Sequence, residues 1–208
     1  GAQNLHSGKS SGMMRNAAFE VSKVLESLED DQGNVQVENF YKNVREPDES
    51  SLKNIRDIEK RTGFDKEGDD NFGKGKGLEK NYIYPQLNIA GVKSGYGGKG
   101  TETVIPSSAE ASIGVRMVAD QSSSKILEKL EKHIETVISE DTDFSLTEIG
   151  SVEPYKTDPG SDYIETVKQV LQEIHGQKPL VKPTSSASLP FHKLNRELDV
   201  ECLLVPYA

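Results

Sequence analysis

Four histidines, His6, His133, His175 and His192, are the first residues to ask for chemistry. Near neutral pH an imidazole can serve as acid, base, metal ligand or hydrogen-bond donor. No two of them stand at metal-ligand spacing, and there is no HExxH, H-x-D or Cys-His cluster. His133 falls inside a helical pattern among charges and is expected to face solvent. His175 lies near a predicted helix end, where a cation suits the helix dipole. His192 follows Pro190 in a short helix and reads as structural or exposed. His6 differs. The stretch QNLHSGKSSG surrounds it with glycine and serine, which keep bulk away from its ring. Taken alone, that setting is still better explained by an ordinary loop histidine.

Other candidates are weighed the same way. Arg116 sits in mid-strand on a polar face, where its planar fork could meet a carboxylate; an exposed cross-strand charge explains it equally well. Thr103 follows a glycine-rich turn. GYGGKGT is not a phosphate loop, because Lys99 precedes Gly100 rather than Ser or Thr. GKGKG, at 73–77, lies in a charged loop rather than between a strand and a helix. Asp30–Asp31 and Asp69–Asp70 read as solvated charge. Cys202, in an apolar stretch, reads as a small core residue rather than a nucleophile.

The elements that must position these residues follow from periodicity. Helices are predicted over 15–31, 48–62, 122–139 and 161–175, with a short one near Pro190. Strands are predicted over 34–41, 82–92, 102–106, 109–119, 144–150, 180–182 and 200–206. Residues 65–81 read as a solvated loop. In the strand AEASIGVRMVA, Ala109, Ala111, Ile113, Val115 and Met117 share one face. The order up to residue 150 suggests helices gathered on one face of an antiparallel sheet, an α+β arrangement. EPYKTDPGSD breaks that pattern, and a boundary is expected near 150.

Composition narrows the partners. The chain has 208 residues, 34% hydrophobic and 28% charged, with a formal net charge of -9. That charge gives no long-range attraction to nucleic acid or an anionic membrane. No apolar run is long enough to span a bilayer. A single cysteine excludes an internal disulfide and a multi-cysteine zinc site, and a reducing, cytoplasmic setting is the simplest expectation.

In order, LHSG, YPQLNIAGVKSGYGGKGTETVIP, ASIGVRMVADQ, DPGSDYIETVKQVLQEIHGQKP, SLP and VECLLVPYA resemble the carnosinase-like di-zinc metallopeptidases. Acetylornithine deacetylase and succinyl-diaminopimelate desuccinylase are relatives in that group. The resemblance covers essentially the whole chain, and helix 48–62 with the following TGFD looks most like the dipeptidase branch. It implies that residues 1–150 are most of a lid, or dimerisation, domain. That lid would be a four-stranded antiparallel sheet with two helices on one face, ferredoxin-like, lacking its first strand. Residues 151–208 would be a partial catalytic α/β domain. His6 matches a histidine that crosses the dimer interface to stabilise the oxyanion in the partner's active site. Thr103 and Arg116 match residues that hold the substrate's C-terminal side, Arg116 as carboxylate clamp. Ser188 matches the serine of a G-G-S-I-P loop meeting the same carboxylate.

The chain departs from that pattern in places. The two glycines before the serine are replaced by Ser186 and Ala187, and LHSGKSSG keeps only the last glycine of a usual pair. The zinc ligands of the resembled family match nothing in these 208 residues. The resemblance therefore implies a fragment of a homodimeric, two-zinc exopeptidase or amidase acting on dipeptides or N-acyl amino acids. The fragment itself is expected to hold no zinc and to be inactive alone. The alternative is a dimerisation or interaction module without catalysis.

Overall fold

The computed structural model describes residues 5–63, 72–158, 160–185 and 188–206. Asp69, Asp70, Ser186 and Ala187 lie outside the described residues. Eleven elements follow one another: β1 (Leu5–His6), α1 (Ser7–Ser10), α2 (Ala17–Ser27), α3 (Glu49–Thr62), α4 (Glu79–Tyr82), β2 (Gln86–Ser94), β3 (Val104–Ile105), β4 (Ala109–Arg116), α5 (Ser123–Val137), α6 (Asp162–His175) and α7 (Phe191–Leu198). Tertiary contacts divide the chain into two units. One comprises 1–40, 86–116 and 127–147; the other comprises 41–85, 117–126 and 148–208.

The long helices start and stop where their caps dictate. The side chains of Asn16, Asp48 and Ser161 accept N–H bonds from Ala18, Ser51 and Ile164, satisfying donors that have no partner inside the helix. Gly63 and Gly176 end α3 and α6 in the left-handed conformation.

In the first unit, β2 and β4 form an antiparallel pair, with a register shift between Ile89 and Gly91. The β4 side chains alternate between half-buried and exposed, as the apolar pattern predicts. Helix α2 packs against this sheet. The unit's most buried apolar residues are Leu28 and Phe40, at 0% and 1% exposure. Full burial of side chains this size contributes about 1.5–3 kcal/mol each. Two polar links tie α2 to α5 and the residues after it. Ser27 Oγ lies 2.9 Å from His133 Nε2, and the Ser139 N–H donates to buried Glu20 at 3.2 Å. His133 is thus half-buried against α2 rather than turned to solvent.

The strand expectations are met only in part. Among the described residues there are two separate two-stranded sheets, β1–β3 and β2–β4, and no four-stranded one. At 34–41 a single bridge, Glu29 to Val35, replaces a ladder. Asn39 and Asn43, at φ 59° and 71°, turn the chain there, and a left-handed residue cannot continue a strand. Residues 144–150, 180–182 and 200–206 carry no ladder. Alternating apolar residues make a segment fit for a sheet, but only a backbone partner makes it a strand.

In the second unit, Ile55, Ile58, Leu78 and Ile83 form the core, with Tyr82, Tyr84 and Leu180 packed on it. Arg45 donates to both carboxylate oxygens of Asp120, holding that carboxyl below its ordinary range. Cys202 is buried and free; its N–H donates to Tyr155 Oη at 3.2 Å. No helix among the described residues is long and apolar enough to cross a membrane.

Candidate functional site

Strand β1 pairs antiparallel with β3, Leu5 opposite Ile105 and His6 opposite Val104. The Ser7 N–H donates to the Thr103 carbonyl at 3.0 Å and extends the pairing by one bond. Two residues 97 positions apart, His6 and Thr103, are thereby set side by side. The next residue after β3, Pro106, offers its carbonyl to the Ala17 N–H at 3.3 Å, so the strand carrying the site is tied to the first turn of α2.

The local sequence decides how the histidine is presented. His6 caps the short turn α1, its Nδ1 accepting the Gly8 N–H at 3.1 Å. An acceptor nitrogen carries no proton, so the proton of the neutral ring sits on Nε2. That nitrogen lies 3.4 Å from Thr103 Oγ1, at the long limit of a hydrogen bond, and both residues are exposed. Gly8 leaves room for the ring, which a side chain there would push aside by a few tenths of an ångström. A Cβ there would stand 3.2 Å from His6 Cε1 and 3.3 Å from Nδ1.

The arrangement defines what His6 can do. Its Nδ1 is occupied and its Nε2 is a donor, so in this tautomer the ring is no general base. It can donate to an oxygen carrying negative charge, displacing the weak contact with Thr103. Sequence reasoning alone did not reach this tautomer. The signal was the glycine two residues after the histidine, whose N–H reaches the ring with least crowding.

The other predicted residues are placed differently. Arg116 closes β4 opposite Gln86, on the exposed face with Glu110 and Ser112. It belongs to the same unit as His6 and Thr103. Ser188 is exposed in the loop before α7, in the second unit. The structure thus pairs His6 with Thr103. Among the described residues, no group of three or more His, Cys, Asp or Glu side chains is placed to hold a metal ion. They do not fit the implied pair of zinc ions, and no chemical step of this chain is derived through metal.

Comparison with known proteins identifies the family. The family model described as the M20 peptidase dimerisation domain matches residues 2–142, and the chain belongs to that family. Over 142 residues it is 28% identical to the Cys-Gly metallodipeptidase of Saccharomyces cerevisiae, a match covering 62% of this chain and 28% of that protein. A crystal structure of an M20 family metallo-carboxypeptidase from Sulfolobus solfataricus superposes with a TM-score of 0.78 at 27% identity, covering 96% of this chain and 52% of that one. Human carnosine dipeptidase 1 shares the fold, with a TM-score of 0.73 at 21% identity over 94% of this chain and 43% of that one. The chain therefore spans about half or less of the length of these relatives.

Proposed function

We propose that this chain is the dimerisation (lid) part, over residues 1–150, and a segment of the catalytic domain, over 151–208, of a homodimeric zinc-dependent exopeptidase or amidase. The substrate class is a dipeptide or an N-acyl amino acid. In this reading the lid's sheet has four strands in a ferredoxin-like arrangement, with β2 and β4 supplying two of them. Zinc would activate the attacking water and polarise the scissile carbonyl. His6 is the oxyanion donor, offered in trans to the partner subunit. Thr103, Arg116 and Ser188 orient the substrate carboxylate, Arg116 through a two-pronged pair of hydrogen bonds. A reducing, cytoplasmic setting belongs to the same proposal and is compatible with the free, buried thiol of Cys202.

One observation carries the reading: within a peptidase dimerisation domain, His6 presents an exposed Nε2–H whose tautomer is set by the Gly8 N–H. A donor aimed at developing negative charge contributes about 2.7–4 kcal/mol to lowering the barrier, or roughly 10²–10³ in kcat. His6→Ala in the complete enzyme is expected to lower kcat by that factor with little change in KM. An unchanged kcat would end the oxyanion role. Arg116→Ala should raise KM for free-acid substrates and leave their amidated forms unaffected. The in trans geometry has its own check. Mixed dimers of His6→Ala subunits with subunits inactivated at the metal site should regain part of the activity. If mixing restores nothing while the dimers form, the histidine does not cross between subunits.

The family match over residues 2–142 also favours a second reading, pairing without catalysis. It predicts dimers by sedimentation in both wild type and His6→Ala, and no hydrolysis by the complete protein after zinc is supplied.

A further inference from the structure

The second unit holds a charge arrangement that the proposed reaction does not use. A cleft of about 380 Å³ lies between α3 and residues 178–181, with Lys168 of α6 on its wall. Its charged lining is Lys53, Lys60, Arg61, Lys168 and Lys178 against one carboxylate, Asp57. Five cations to one anion reverses the balance of a chain whose net charge is -9. On α3 the charged positions are spaced i, i+4, i+7 and i+8, so Lys53, Asp57, Lys60 and Arg61 share a face.

The walls of the cleft are fastened. Arg61 Nη1 donates to the Lys178 carbonyl at 3.1 Å, tying the second wall to the helix. Leu180, from the same wall, packs on the cluster of Ile55, Ile58, Leu78 and Ile83. The charges are less well matched. Lys168 pairs with Glu165 at 2.6 Å. Lys53, Lys60 and Lys178 take no ion pair among the described residues, not even with Asp57. Like charges converging on one cleft repel, and an anion seated among them removes that repulsion.

We infer that this cleft binds a small multivalent anion bearing phosphate or carboxylate groups. Lys53, Lys60 and Lys178 supply the uncompensated charge. Ser50 and Asn54 add neutral donors, and Pro179, Leu180 and Val181 give an apolar side for a short carbon skeleton. The volume suits a small molecule, since such sites run from about 300 to 1,000 Å³. Several cations around one cleft attract an anion in proportion to its charge, which favours multivalent over singly charged anions.

Isothermal titration calorimetry on the 208-residue chain tests this, with pyrophosphate and citrate titrated separately. Sodium chloride at matched ionic strength is the control. Saturable 1:1 binding is expected for at least one of the two, and the stronger of them identifies phosphate or carboxylate as the recognised group. The K53Q/K60Q variant should bind at least about tenfold more weakly. A K125Q/K193Q variant, with the same charge removed elsewhere, should bind like wild type. Amide shifts of Leu180 and Val181 in NMR should move on titration in wild type and not in K53Q/K60Q. The inference falls if neither anion gives more than the chloride response, or if both double variants bind alike.

Discussion

Two glycine-rich loops look alike in sequence and differ in what surrounds them. Residues 95–100, in the first unit, form an open turn between β2 and β3. A Cβ on Gly97 or Gly100 would meet nothing within 4 Å; one on Gly98 would stand 2.5 Å from Tyr96 Oη, but that side chain is itself half exposed and can give way. Residues 73–77, in the second unit, are packed instead. A Cβ on Gly75 would stand 2.7 Å from Tyr84 Cε2, and one on Gly77 would collide with the Glu59 carboxylate. That carboxylate accepts the N–H of buried Leu78 at 2.9 Å. Lys74, between the glycines, places its ammonium 4.8 Å from the Tyr41 ring and 5.3 Å from the Tyr84 ring. Both loops use glycine for positive φ, at Gly95 and Gly100 in the first and at Gly73, Gly75 and Gly77 in the second; in the second, Gly75 also lies against a ring packed on the core. Of the stretch 65–81, residues 65–71 lie outside the described residues; Phe72, Lys74 and Lys76 are exposed, as the charge pattern suggests, whereas Leu78 enters the core and α4 follows it.

The largest expected effect that tests this contrast is Gly75→Ala. The residue combines φ of 96° with a ring that the surrounding cluster holds in place. Backbone strain and overpacking together should cost about 2–4 kcal/mol in denaturant unfolding. A loss near zero would mean that the loop is not packed as described. Glu59→Ala should follow, at about 1–3 kcal/mol, because it leaves the buried Leu78 N–H without a partner.

The first unit has a matching polar anchor in Glu20, which sharpens the comparison. Its carboxyl is held below the ordinary 4.5, chiefly by the Lys23 hydrogen bond and then, against the opposing cost of burial, by the Ser139 N–H. Folding thus favours the ionised form. The stability it adds is present above about pH 4.5 and disappears as pH falls through the lower folded value. Glu20→Gln should be less stable than wild type at neutral pH, with the gap closing in acid. A pH-independent gap would assign Glu20 a packing role only. Smaller still is Lys74→Gln, which removes the cation between two rings and should cost about 0.5–1 kcal/mol, read as a shift in the unfolding midpoint. Gly97→Ala should change stability by no more than about 0.5 kcal/mol. A large loss there would erase the distinction between the loops.

Apolar periodicity was legible before any coordinates; the N-capping residues emerge with the structure. The caps at Asn16, Asp48 and Ser161 and the stops at Gly63 and Gly176 are decided within four residues of where they act. The β4 alternation is decided by the pleat. The apolar periodicity placed α3, α6 and β4 close to their predicted bounds, whereas α2 stops at Ser27, four residues short of the predicted end at 31. The fates of segments 34–41 and 144–150 were not legible in the same way. Whether they join a sheet depends on a partner backbone far away in the chain.

The candidate site divides along the same line. The residues LHSG, with Gly8 two positions after His6, determined that Nδ1 could be capped by its own turn and that Nε2 would carry the proton. That is short-range chemistry, written in adjacent residues. Only the tertiary structure decided that Thr103 stands next to this ring and that Arg61 ties Lys178 to α3 beside a basic cleft. It also decided that the tyrosine over Gly75 is packed on the core while the tyrosine over Gly98 is half exposed. Contacts between residues dozens of positions apart are selected by burial and backbone pairing over the whole fold, and residue type at either end does not specify them.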